Sequence, residues 1–234
     1  MSRVVLVHGF TQTGASWATI AAGLDADEVL APDQPGHGER SAERADLVTS
    51  AQLLAPLGPA TFVGYSMGAR IALHLALLRP DAVTRLVLLG GTGGIDDDEE
   101  RAARRAADEV LADRLEDIGT DAFLDEWLAQ PLFAGLPPEA RGARSSDATG
   151  LAWSLRLAGT GTQQPLWDRL GELAMPVLVV AGERDEKFRA VGERLVAGIG
   201  ANAELVLVPG AGHAAHLEQP DGFLAVLRPW LARH

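Results

Sequence analysis

Short apolar runs without polar alternation recur along the chain, at 3–7, 28–31, 60–64, 85–89, 176–181 and 204–208. Successive apolar, often β-branched positions mark strands that are covered on both faces, as in a parallel sheet. Between them the hydrophobic period changes to that of helices, over 16–23, 42–54, 67–77, 188–199 and 222–232. Strands that alternate with helices predict the α/β class, with a mostly parallel, doubly wound sheet.

The alternation breaks once. From Gly90-Gly91 to Leu173, about eighty residues carry no strand pattern. The stretch is charged and helical in period, with helices expected over 97–115, 120–129, 138–144 and 151–159. An insertion that leaves the C-terminal end of a strand lies over the face where open α/β sheets bind ligands. The expected organisation is a core of 1–91 and 171–234 with a helical cap of 92–170, all in one domain. The acidic run Asp96–Glu100 suits a helix N-terminus, where the helix dipole favours negative charge.

Composition narrows the choices. The 234 residues are 47% apolar, enough for a sizeable core, and no stretch has the length of a membrane span. Four apolar residues after Met1-Ser2-Arg3 are too few for a signal-peptide core, so a cytoplasmic setting is expected. A formal net charge of −12 argues against nucleic acid as a partner. The absence of cysteine removes disulfides, thiolate metal sites and cysteine nucleophiles from consideration. Neither a metal nor an organic cofactor is implied. Of the 20 basic residues all but Lys187 are arginine, a side chain whose planar fork suits carboxylates.

The chemistry is carried by Gly64-Tyr65-Ser66-Met67-Gly68, a G-x-S-x-G sequence between a strand pattern and a helical one. That context is required for a nucleophile elbow, a sharp turn that lifts the serine hydroxyl above the sheet. A serine needs an imidazole to take its proton, and the imidazole needs a carboxylate to hold it. Asp185 follows the 176–181 strand and His213 follows the 204–208 strand, in the order serine, acid, histidine. Glu183 is the competing acid, closer to the strand end, and His216 is the competing histidine, near a helix start. The oxyanion site needs two backbone N–H donors, for which Met67 and Phe10 are the candidates. His8 reads as a brace for the Phe10 loop.

These motifs together resemble the α/β-hydrolase superfamily: His8-Gly9-Phe10, Asp33-Gln34-Pro35-Gly36-His37-Gly38, the elbow, Asp185 and His213. The superfamily's usual N-terminal antiparallel hairpin is missing, because the first strand already carries His8-Gly9-Phe10. The resemblance therefore implies an α/β-hydrolase fold reduced to about six strands, with an inserted cap. A narrower resemblance is to the MenH family of 2-succinyl-6-hydroxy-2,4-cyclohexadiene-1-carboxylate synthases. It is carried by Gly182–Ala190, Gly212–Glu218, Gly68-Ala69-Arg70, Glu100–Arg104, Trp127–Phe133 and Arg144-Ser145. The spacing from Phe133 to Arg144 is a few residues shorter than in that family, and Arg141 is the alternative to Arg144.

The resemblance implies a lyase of menaquinone biosynthesis acting on a small polycarboxylate, with the triad as base and pyruvate as leaving group. Substrate contacts would come from Arg70, Arg101, Arg104 and Arg144, with Tyr65 and Trp127 lining the pocket. Helical period alone favours a plainer reading, in which Arg101, Arg104 and Arg105 pair with Glu100, Asp108 and Glu109 on a solvated face. Two other functions suit the same triad: a serine carboxylesterase or carbon–carbon-bond hydrolase, and a non-catalytic receptor of this fold. An apolar cap facing the pocket would mark the esterase, and a cluster of arginines there, Arg70 with at least two from the cap, the synthase.

Overall fold

The structure, a computed structural model, describes residues 2–234 except for the side chain of Arg141. Strand β1 (Arg3–Val7) is followed by α1 (Ala18–Gly23), β2 (Glu28–Leu30) and α2 (Leu47–Leu54). Then come β3 (Ala60–Tyr65), α3 (Met67–Leu78) and β4 (Val83–Leu89). Two helices, α4 (Asp98–Leu128) and α5 (Ala148–Ala158), occupy the interval before β5 (Val177–Gly182). The chain ends with α6 (Glu186–Ile199), β6 (Ala203–Val208), the single turn α7 (Ala215–Glu218) and α8 (Pro220–Arg233).

The six strands form one sheet in the order β2-β1-β3-β4-β5-β6. Every pairing is parallel. Successive residues of a strand face opposite sides, so each apolar run feeds two cores. Val5, Val7, Phe62, Leu86 and Leu88 pack towards α2, α3 and α6. Val4, Leu6, Val63, Val87 and Leu89 pack towards Trp17, Ile20, Phe223 and Trp230, largely from α1 and α8. Full burial of a side chain such as Phe223 stabilises the fold by about 2–3 kcal/mol.

The strand order reverses between β1 and β3, which lie side by side. Connections from those two strands leave in opposite senses and open a crevice at their C-terminal ends. Val7 pairs with Gly64 there, so the Phe10 loop and the Ser66 turn emerge next to each other.

Two helices fall short of their hydrophobic period: the 138–144 stretch forms only a 3₁₀ turn over Pro138–Arg141. α2 begins at Leu47, where the pattern predicts residue 42, because Asp46 caps it and accepts from Thr49 N–H at 2.7 Å. The segment between β4 and β5 carries its own small core of Leu115, Phe123, Leu151 and Leu155. Asp97 caps α4 by accepting from Glu100 N–H at 2.8 Å, which places the acidic run at a helix start. Within α4 the backbone breaks at Gly119, with φ 77° and ψ 169°. Among the described residues no helix is long and apolar enough to cross a membrane.

Candidate active site

Ser66 sits where β3 turns into α3, with φ 51° and ψ −107°. A positive φ on a residue with a β-carbon costs about 1–3 kcal/mol and needs a tight frame. The frame is the Ser66 N–H, which donates to Leu89 O at 2.9 Å, and Gly68, which lets the turn close. A β-carbon at Gly68 would lie 2.1 Å from Val7 O and 2.6 Å from His8 O, so α3 could not approach β1.

Asp185 and His213 meet although they are 28 residues apart. Asp185 Oδ2 accepts from His213 Nδ1 at 2.8 Å, and both side chains are buried. Asp185 is also the N-cap of α6, where its Oδ1 accepts from Phe188 N–H at 3.2 Å. The carboxylate is therefore fixed by the helix start before it holds the imidazole. The Phe188 ring lies over the imidazole at 4.4 Å. Glu183, the competing acid, is engaged elsewhere: its Oε2 accepts from Gly210 N–H at 2.8 Å.

His216 is fully buried between the rings of Trp17 and Tyr65, at 4.3 and 4.5 Å. Neither of its ring nitrogens has a hydrogen-bond partner among the described residues. Burial, then the proximity of His213 and of the Arg144 charge, holds its pKa down to about 3. It is a neutral aromatic in the core, unsuited to proton transfer.

Two further histidines brace the Phe10 loop. His8 Nδ1 donates to Gly9 O and its Nε2 accepts from Gln34 N–H, both at 2.9 Å. His37 Nδ1 donates to Pro35 O at 3.1 Å, and its Nε2 accepts from Thr11 N–H at 3.3 Å. Each network requires a neutral ring. Burial holds His8 down to about 4, and burial together with His8 holds His37 down to about 3. Gly9 N–H goes to Gln12 Oε1 at 3.0 Å, whereas the Phe10 N–H has no acceptor among the described residues. Met67 opens α3, so its N–H has no intrahelical acceptor either. Two spare donors thus flank Ser66.

Phe10, Ser66, Met67 and His213 line one hollow of 320 Å³, together with Arg70 and Arg104. A wider hollow of 690 Å³ shares Ser66, Arg70, Arg104 and Lys187 and extends outward to Arg194 and the acidic start of α4. Of the two, only the smaller brings Phe10, Met67 and His213 together with Ser66.

Arg70 is 6% exposed and its Nη1 donates to Gly159 O at 3.2 Å. Burial, then the neighbouring Arg104 charge, pushes its pKa down to about 10, against the pull of Asp108, so it stays charged at neutral pH. Arg104 is half-buried and pairs through Nε with Asp108 Oδ1 at 2.8 Å. Trp127 also lines the hollow.

The expected convergence of three or four arginines is corrected by the structure. Arg101 does not reach the hollow: it bonds the carbonyls of Ile95 and Asp96 and pairs with Asp98 at the start of its own helix. That is close to the plainer helix-face reading. Arg144 is not among the lining side chains; it donates to Thr11 Oγ1, and its charge acts on Tyr65 and His216. The side chain of Arg141, the alternative, lies outside the described residues. Tyr65 is buried beneath His213 and His216, at ring distances of 5.3 and 4.5 Å, and does not line the hollow. Its place follows from strand alternation, which turns Tyr65 into the core on the Leu89 face.

The third cation at the hollow is Lys187, which sequence reasoning passed over. Its position two residues after Asp185, in the first turn of α6, was the available signal. Among the described residues no group of three or more His, Asp or Glu side chains is placed to hold a metal ion.

A serine on a strained strand–helix turn, a carboxylate-held histidine and paired spare amides at a sheet crevice define an enzyme of the nucleophile-elbow class. The model of the alpha/beta hydrolase family matches residues 4–226, and the chain belongs to that family. Within it, the chain is 34% identical to the 2-succinyl-6-hydroxy-2,4-cyclohexadiene-1-carboxylate synthase of Serratia proteamaculans, over 97% of this chain and 92% of that one. It is 32% identical to the synthase of the same name from Escherichia coli O1:K1, over 96% and 91%. Among solved structures, MenH from S. aureus superposes with a TM-score of 0.92 at 30% identity, covering 99% of this chain and 94% of that one.

Proposed function

We propose that the chain is a 2-succinyl-6-hydroxy-2,4-cyclohexadiene-1-carboxylate synthase, a carbon–oxygen lyase of menaquinone biosynthesis. It converts 2-succinyl-5-enolpyruvyl-6-hydroxy-3-cyclohexene-1-carboxylate to its product with loss of pyruvate. The relatives support this reading, and so does one feature of the site: a buried guanidinium, Arg70, in the same hollow as Ser66 with Arg104 and Lys187. A buried cation is costly unless an anion joins it. Charge-assisted pairing with carboxylates supplies that anion, and the substrate carries three.

The ring carbon that bears the succinyl ketone holds an acidified C–H. Ser66 Oγ, its own proton passed to His213, removes that hydrogen. The electron pair forms a double bond to the adjacent ring carbon, the ring alkene shifts by one position, and the C–O bond to the enolpyruvyl group breaks. The enolate of pyruvate leaves and is protonated, and a cyclohexadiene remains. Negative charge builds on the ketone oxygen in the transition state, where the Phe10 and Met67 N–H groups would donate to it. Asp185 steadies the imidazolium that forms on His213. The inserted segment acts as a cap that carries Arg104 and Trp127 over the reacting ring. A tricarboxylate does not cross a bilayer unaided, so the reaction belongs in the cytoplasm with its substrate.

The test is pyruvate release from the enolpyruvyl substrate, measured beside hydrolysis of an aryl ester. Pyruvate formation as the faster activity is expected; ester turnover without pyruvate would make the protein a hydrolase. Arg104→Ala is expected to raise KM about ten- to a hundredfold, the loss of one charge-assisted carboxylate contact. Arg101→Ala, whose guanidinium is tied to its own helix start, should leave KM within about twofold. Steady-state kinetics of the two variants side by side distinguishes the guanidinium at the hollow from the one beside it.

A further inference from the structure

Two groups anchor His213 from opposite directions. Asp185 holds the ring. The backbone is held by Glu218, the last residue of α7. Glu218 Oε2 accepts from Gly212 N–H at 2.7 Å, and Oε1 accepts from Ala214 N–H at 2.9 Å. One carboxylate thus pins the chain immediately before and immediately after the histidine. No side chain other than Asp or Glu offers two acceptor oxygens on one rigid plane for this pair of donors.

The Glu218 carboxylate is itself confined by the inserted segment. A β-carbon at Gly135 would lie 2.1 Å from Glu218 Oε2. The missing side chain lets the 131–135 stretch rest directly on the carboxylate. A hollow of 220 Å³ runs between them, lined by Leu132, Gly135, Arg184, Asp185, His213 and Glu218. The segment that roofs Ser66 therefore also touches, through Glu218, the loop that carries its base.

We infer that Glu218 is a positioning residue for His213, and that Gly135 keeps it in place, so that the seating of the inserted segment and the aim of the imidazole are coupled. The inference rests on the role given to His213 and is independent of which substrate is turned over. A shift of the imidazole by about an ångström costs on the order of a hundredfold in rate without altering the groups that bind substrate.

Two variants test this. Glu218→Gln replaces one acceptor oxygen by an NH₂ that opposes a backbone N–H. Gly135→Ala, at an exposed position, leaves Glu218 in the chain but pushes its carboxylate aside. Expected for both is a fall in kcat of about ten- to a hundredfold with KM within about twofold. Proton NMR of the substrate-free protein should show the downfield Nδ1–H resonance of His213 shifted or broadened in both variants. That readout needs no substrate, so it stands even if the lyase assignment fails. If Glu218→Gln does not fold, Gly135→Ala decides. Wild-type kcat in the folded variants, or a fall in kcat with the His213 resonance unmoved, would overturn the inference.

Discussion

Replacing Ser66 with alanine is expected to reduce kcat for pyruvate release by about a thousandfold or more while substrate still binds. The loss is large because the Ser66 hydroxyl is the group that the elbow raises to the crevice, at a cost in backbone strain that no structural role explains. Binding survives because the Arg70, Arg104 and Lys187 side chains remain in the hollow when the hydroxyl is removed. Calorimetric titration with the product should therefore give a Kd within about threefold of wild type, while the pyruvate assay falls to the residual set by the Phe10 and Met67 amides. Unchanged pyruvate release in Ser66→Ala would place the base elsewhere. A burst of covalent enzyme in the wild type would return the serine to its hydrolytic role.

The second large effect is on stability against acid. His8, His37 and His216 are held near 4, 3 and 3, all below the ordinary 6.5, chiefly by burial. Burial lowers His74 as well. A histidine whose pKa is depressed in the fold takes up its proton only on unfolding. Its contribution is complete above 6.5 and is lost as pH falls from there towards 4 and 3. At pH 5 each of the three costs about 2 kcal/mol relative to neutral pH, and together they cost roughly 6 kcal/mol. A domain has only about 5–15 kcal/mol of stability in all. Urea unfolding at pH 7.5 and pH 5 should show this drop as a lower midpoint with an unchanged slope. His216→Phe, which keeps an aromatic ring between Trp17 and Tyr65, should recover about a third of it. Equal midpoints at the two pH values would mean that these rings are not held neutral. A pH–rate profile that falls on the acid side will therefore report the fold as well as the triad.

Local punctuation made the proposed triad legible in the sequence. Ser66, Asp185 and His213 each follow an apolar run and a short turn, and strand order brings those turns together. The six strands were legible for the same reason, since a doubly covered strand has no competing period. The arginines were not. Arg101 and Arg104 differ by one helical turn, yet Arg104 faces the crevice while Arg101 folds back onto the carbonyls at its helix start. A helical wheel fixes relative angles but not the rotation of the helix over the sheet. Tyr65 and Arg144 failed differently. Neighbours of a functional residue in sequence need not share its exposure, and alternation in β3 sends Tyr65 under the imidazole. Lys187 was hidden because its context, Asp185-Glu186-Lys187, reads as an ordinary helix start.

That lysine gives the molecule an unusual handle. Among nineteen arginines the chain carries a single ε-amino group, and it is exposed at the edge of the hollow that contains Ser66. Amine-directed reagents, which decorate most proteins at random, meet one side-chain target here, and ligand in the hollow stands in their way. A fluorophore on that amine would report occupancy, whereas an amine-reactive support would tether the protein by the mouth of its own site.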